Sequence, residues 1–190
     1  MITTEQIRDL REKTGVSVMQ CKKALEEAKG DMERALILLR KKGADIAAKK
    51  AERSLGAGVI ASYIHSTGTV GAMVELSSET DFVSKNEAFR ALAYDIAMHV
   101  TASNPEFLKK EDVTEGALKE AREAFGKEVE GKPANIKEKI MEGKLAAYFG
   151  ERTLLEQKFI KDQDRTVNDL IQAAIQKFGE KIEVSRFVRF

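Results

Sequence analysis

Helical spacing of apolar residues fills the first forty positions of the chain. Thr3 and Gln6 make a capping box ahead of Ile7 and Leu10, and Thr14-Gly15 interrupts that face, which predicts a first helix. Ser17 and Gln20 make a second box before Cys21, Ala24, Leu25 and Ala28, with Gly30 as a stop. Asp31 caps a third run, Met32, Ala35, Leu36 and Leu39, which Gly43 is expected to end. Residues 44 to 58, rich in Ala, Lys and Gly, read as a linker with some helical character.

The pattern then becomes extended. Val59 to His65 and Val70 to Leu76 are β-rich and flank Ser66-Thr67-Gly68-Thr69, a good hairpin turn. Next come Thr80-Asp81-Phe82-Val83 and a capping box of Ser84 with Glu87, so a helix is expected from Ser84 to about Ala102. Its buried face is Phe89, Leu92, Ala93, Ile96, Ala97 and Val100; Val83 is expected to staple against Ala88, and Asn104-Pro105 ends the run. Leu118, Ala121, Phe125 and Val129, then Ile136, Ile140, Tyr148 and Phe149, predict a helical hairpin turning at Gly131-Lys132-Pro133. Thr166 and Asp169 open a last helix that Gly179 closes, and Ile182 to Phe190 supplies a third strand. The expected fold is α+β: a three-helix, ubiquitin-associated-like module over 1–43, a linker over 44–56, and a core over 57–190. That core has a three-stranded antiparallel sheet, covering helices and a helical hairpin at about 115–150.

Composition narrows the function. A hydrophobic fraction of 43% with 33% charged residues is globular rather than disordered. Basic and acidic residues number 32 and 31, so no overall basic field favours nucleic acid or a membrane, and a protein partner is the better expectation. Lys49, Lys50 and Arg53 form a short basic cluster, but no aromatic residue interleaves there to stack on bases. The lone Cys21 lies on a predicted buried face, reads as a structural thiol, and fits a reducing compartment. The opening Met1-Ile2-Thr3-Thr4-Glu5 lacks the segments of a signal peptide, and Ala35 to Leu39 is too short to span a bilayer; the expectation is a soluble cytoplasmic protein without a membrane partner.

No catalytic constellation emerges. His65 and His99 are far apart in sequence, metal-ligand spacings are missing, and no glycine-rich phosphate loop follows a strand. The expectation is a non-enzyme with no cofactor, no metal and no direct nucleotide binding. Phe82, a large aromatic beside an acid at a strand-to-helix corner, is either ordinary core or a rigidly held wedge for a partner. Val16, Val18 and Met19 stand in or just after the first loop, as core filler or as an adaptable contact surface.

Two stretches carry a resemblance. Thr80-Asp81-Phe82-Val83-Ser84-Lys85-Asn86, after Val74-Glu75-Leu76, closely resembles a signature of the elongation factor Ts family, and Leu10 to Leu25 is similar to that family's other signature. Ser77 and Ser78 depart from the Asn and Cys common there, and Lys158 replaces a frequent Pro. Asn135-Ile136-Lys137 and Gly143-Lys144-Leu145 look like the family's arm. The resemblance implies a guanine nucleotide exchange factor for the translational GTPase elongation factor Tu. Its helical module, with Val16, Val18, Met19 and Lys22, would grip the GTPase. Thr80, Asp81, Phe82 and Val83 would intrude on the magnesium and phosphate site. His99, in a stretch similar to one where the family places a histidine against the partner, is either a contact or an exposed helix residue. The short length resembles members that pair as homodimers. The alternatives are a ubiquitin-associated-like adaptor or an RNA-binding accessory protein.

Overall fold

The computed structural model describes residues 2–129 and 133–190. Helices α1 (Thr4–Thr14), α2 (Val18–Glu27) and α3 (Met32–Lys50) enclose a small core of Leu10, Val16, Cys21, Leu25, Ala35 and Leu39. The Thr3 box closes as expected: Thr3 Oγ1 accepts from the Gln6 amide at 3.2 Å and Gln6 Oε1 accepts from the Thr3 amide at 3.0 Å. At the turn into α3, Lys29 and Gly30 both take the left-handed region, with φ of 55° and 86°, and the Gly30 amide donates to Leu25 O at 2.9 Å. Ser17 also caps α2, but the reciprocal arm of its box is absent. Gln20 Oε1 instead accepts from Gln176 Nε2 at 2.7 Å, across to the last helix.

Helix α3 runs through Gly43 to Lys50, contrary to the expected stop. Gly43 is a contact glycine here, since a Cβ would lie 3.3 Å from Gln176 Oε1 and 3.4 Å from Gln172 O. Both belong to α8 (Val167–Phe178), so the lack of a side chain lets two helices approach closely. Beyond it Ile46 and Ala47 pack on the main core, and Lys50 Nζ donates to Gly179 O. Residues 44–50 of the expected linker are thus part of a docked helix.

In the main core, β1 (Ala57–Ile64), β2 (Gly71–Ser78) and β5 (Ile182–Arg189) form an antiparallel sheet in the order β1-β2-β5. The hairpin turn closes with the His65 amide on Val70 O at 2.9 Å, and Gly68 supplies a φ of 69°. Ala72, Val74 and Leu76, with Ile182 and Val184, face α5 (Glu87–Ser103), whose Phe89, Ala93, Ile96, Ala97 and Val100 cover them. The opposite face is open, with Ile60, Ile64, Met73 and Val188 exposed beside an ion pair of Glu75 with Arg186 at 2.6 Å. A ribbon of β3 (Lys158–Phe159) and β4 (Asp162–Thr166) precedes α8, which the Thr166 and Asp169 box caps as expected. Helices α6 (Glu115–Gly126) and α7 (Ala134–Gly150) form the hairpin around Ala121, Leu145 and Phe149. Its expected turn at Gly131-Lys132-Pro133 and the apolar role given to Val129 fall largely outside the described residues. Among the described residues no helix is long and apolar enough to cross a membrane.

The Gly43 contact is open to test. A Gly43→Leu variant should overpack the α3–α8 junction at a cost of about 1–3 kcal/mol while leaving the sheet intact. Trypsin cleavage at Lys49, Lys50 and Arg53 should quicken, and amide exchange should rise at Gln172 to Gln176.

Candidate partner-binding site

The strand-to-helix corner is built from an isolated turn. Asp81–Ser84 forms a four-residue helix, α4, and α5 begins separately after Asn86, whose Oδ1 accepts from the Ala88 amide at 2.9 Å. This corrects the expected Ser84 cap: Ser84 is buried and its hydroxyl donates to Asp81 O at 3.2 Å. Val83 does not staple to Ala88 either; it inserts into the main core while Ala88 is exposed. With Val83 turned inward, its neighbour Phe82 points outward and is 82% exposed.

Side chains far along the chain brace this corner. Glu180 takes both donors of Thr80, the amide at 3.0 Å and the hydroxyl at 2.6 Å. Glu79 accepts from the Lys181 amide and from Arg53 at 3.1 Å, and those contacts, the amide first, hold its carboxyl below the usual range. Ser78, fully buried, donates to Thr80 O at 2.9 Å. Asp81 pairs with Lys85 at 2.6 Å, which lowers its pKa and keeps it anionic at neutral pH. The exposed ring therefore stands on a backbone fixed on both sides. Glu79, Glu180 and Lys181 had no local signal, because their partners lie about a hundred positions apart.

The helical module offers a second apolar surface. Val18 is 52% and Met19 79% exposed at the start of α2, and Lys22 is exposed one turn on, at 3.9 Å from Glu26. Val18 also lines an open cleft with Ile7, Gly15 and Lys177. Val16 is different. At 2% exposure it belongs to the module core, so the contact role expected for its side chain gives way to support of the loop. The same correction applies to Val83, at 3%.

His99 is neither a surface contact nor an exposed helix residue. It is fully buried, with Nε2 3.0 Å from Gln157 Oε1 and Nδ1 3.3 Å from the Ile160 amide. An amide N–H only donates, so Nδ1 is the acceptor and Nε2 carries the proton toward Gln157. Gln157 in turn donates to Glu151 O at 2.8 Å, so the pair ties α5 to the end of α7 and the segment before α8. Burial holds the His99 pKa below its usual value, with the Gln157 contact opposing. Among the described residues no cluster of three or more His, Cys, Asp or Glu is placed to hold a metal.

The module, corner, arm and closing strand together match one family model, described as Elongation factor TS, over residues 4–190. The class is that of translation elongation factors. The chain is 50% identical to elongation factor Ts of Carboxydothermus hydrogenoformans, 48% to that of Thermosipho melanesiensis and 50% to that of Koribacter versatilis. These matches cover 100% of this chain and 88%, 98% and 87% of the relatives. The chain belongs to the elongation factor Ts family.

The His99 geometry gives a pH dependence of definite sign. As pH falls below about 6.5 the unfolded chain takes up the histidine proton first, because the folded state disfavours it. Stability is fully present above that value and is lost as pH falls toward the folded pKa. The melting temperature should decline between pH 7 and 5, a window above the titration of Glu79 and Asp81, and a His99→Gln variant should flatten that decline.

Proposed function

We propose that this chain speeds GDP release from elongation factor Tu by binding the nucleotide-free GTPase more tightly than the loaded one. Linkage supplies the mechanism. Whatever factor favours the empty partner must weaken its nucleotide by the same factor, without any covalent step and without a nucleotide site on this chain for the exchange itself. The observation that carries this reading is Phe82, a large apolar ring held in water on a corner braced by Glu180, Glu79 and Ser78. Rigid presentation matters because a preordered ring loses little entropy on entering a groove. Inserted there, the corner perturbs the partner's magnesium and phosphate site. Asp81 exchanges its solvent-exposed Lys85 contact for a polar group of the partner, and Val18, Met19 and Lys22 form a second grip on the GTPase domain.

The open sheet face supports a homodimer. Ile60, Ile64, Met73 and Val188 leave apolar surface on three adjacent strands, and a two-fold axis through that face covers it with its own copy. Two protomers then present two braced corners.

Phe82→Ala separates the wedge from a core role. Burying a phenylalanine in a groove is worth about 1.5–3 kcal/mol, so exchange should slow by about ten- to a hundredfold while melting barely changes. Asp81→Ala should act in the same direction with a smaller loss. A strongly lowered melting point with normal exchange per folded molecule would falsify the wedge. For the second grip, the paired change Val18→Ala with Met19→Ala should weaken association with elongation factor Tu by about tenfold. Light scattering at micromolar concentration should give twice the chain mass, and a charge on the open face, as in Ile60→Asp, should return it to a monomer.

A further inference from the structure

Val18 and Met19 stand on the helical module and Phe82 on the core, so one rigid partner meets both at once only when their spacing matches its own surface. The chain between the two parts includes Ala51 to Leu55, which belong to no helix or strand. Two side chains at the end of α3 bridge that stretch. Lys50 Nζ donates to Gly179 O, and Arg53 Nη1 lies 3.1 Å and 3.4 Å from the two carboxylate oxygens of Glu79. The same carboxylate accepts from the Lys181 amide, so the end of α3, the base of the corner and the approach to β5 meet on one acid. Close by, the Gly56 amide donates to Ser78 O at 3.2 Å, and a Cβ on Gly56 would lie 3.1 Å from Glu79 O. The other module contacts described, at Gly43 and Gln20, fall on α8 and do not reach the corner.

Arg53 is half exposed while Glu79 is largely covered, and an ion pair so placed adds little to folding. What it supplies is a fixed distance between two parts of the molecule. A second contact made from a preset position avoids the entropy of searching for it, and a loose connection restores that cost at every binding event. We infer that Lys50 and Arg53 are positioning residues, which hold the Val18 and Met19 surface in register with Phe82 so that each contact strengthens the other. They act through Gly179 and Glu79, without touching the partner. The inference rests on the reading of these two surfaces as grips on elongation factor Tu.

The test is a cycle of variants in the full chain, read as association with nucleotide-free elongation factor Tu. Lys50→Ala together with Arg53→Ala should weaken association by about fivefold or more in the parent, while the melting temperature stays within about 2 °C. In a chain already carrying Val18→Ala and Met19→Ala, the same pair should cost less than about twofold, since no second contact remains to be held in register. Arg53→Gln alone, which leaves Lys50 on Gly179, should show the same dependence on background and replaces the pair if the pair melts several degrees lower. An equal loss in both backgrounds overturns the inference, because a side chain that touches the GTPase or merely supports the corner acts whether or not the module grips. No loss in either background overturns it as well. If Phe82→Ala and the Val18→Ala, Met19→Ala pair each leave association unchanged, the two-grip reading fails and takes the inference with it; if both weaken association and the background dependence is missing, only the inference falls.

Discussion

The pairing of β2 with β5 is the constraint on which the corner depends. Ser78 lies opposite Ile182 in that ladder, and two residues further along the same register Thr80 meets Glu180. The clamp on the corner is therefore a continuation of the sheet by side-chain bonds after backbone bonds have ended. Since β5 is the last strand and β2 the second, the corner becomes rigid only when the chain has closed on itself. Phe82 stays outside because Val83 and Ser84 on one side, and Ser78 and Glu79 on the other, are anchored.

Much of the fold was legible because its signals are local. The Thr3 and Thr166 boxes, the Asp31 cap, the Gly179 stop and the strand alternation each need only neighbouring residues, and the three-stranded sheet followed from them. Gly43 shows where such reasoning ends. A glycine after an apolar helical run serves equally as a stop or as a point of close approach, and only the position of Gln172 and Gln176 decides. The β3–β4 ribbon carries no sequence signal, because Asp162–Thr166 is polar throughout and has no alternating apolar face.

The candidate site was legible by type more than by burial. Phe82, Val18 and Met19 are exposed apolar residues, which a sequence pattern alone leaves undecided between core and surface. Val16 and Val83 had the same apolar character and lie inside, since burial depends on which neighbouring element arrives later in the chain. His99 departs from the expected exposure for a related reason: its partner Gln157 lies 58 positions away, and a polar residue near a helix end is ordinarily exposed. The module's docking was equally hidden, because Gln20 and Gln176 are separated by 156 positions.

Continuity of α3 has a mechanical meaning. With 19 residues at about 1.5 Å each, it is a stiff rod about 28 Å long. One end carries the module, and the other is pinned at Gly179, immediately before the Glu180 and Lys181 clamps. A tilt of about 10° about the Gly43 crossing, seven residues from Lys50, displaces that end by about 2 Å. The helix is thus a lever whose fulcrum is the Gly43 crossing, and torque applied to the module reaches the base of the aromatic corner without passing through the sheet.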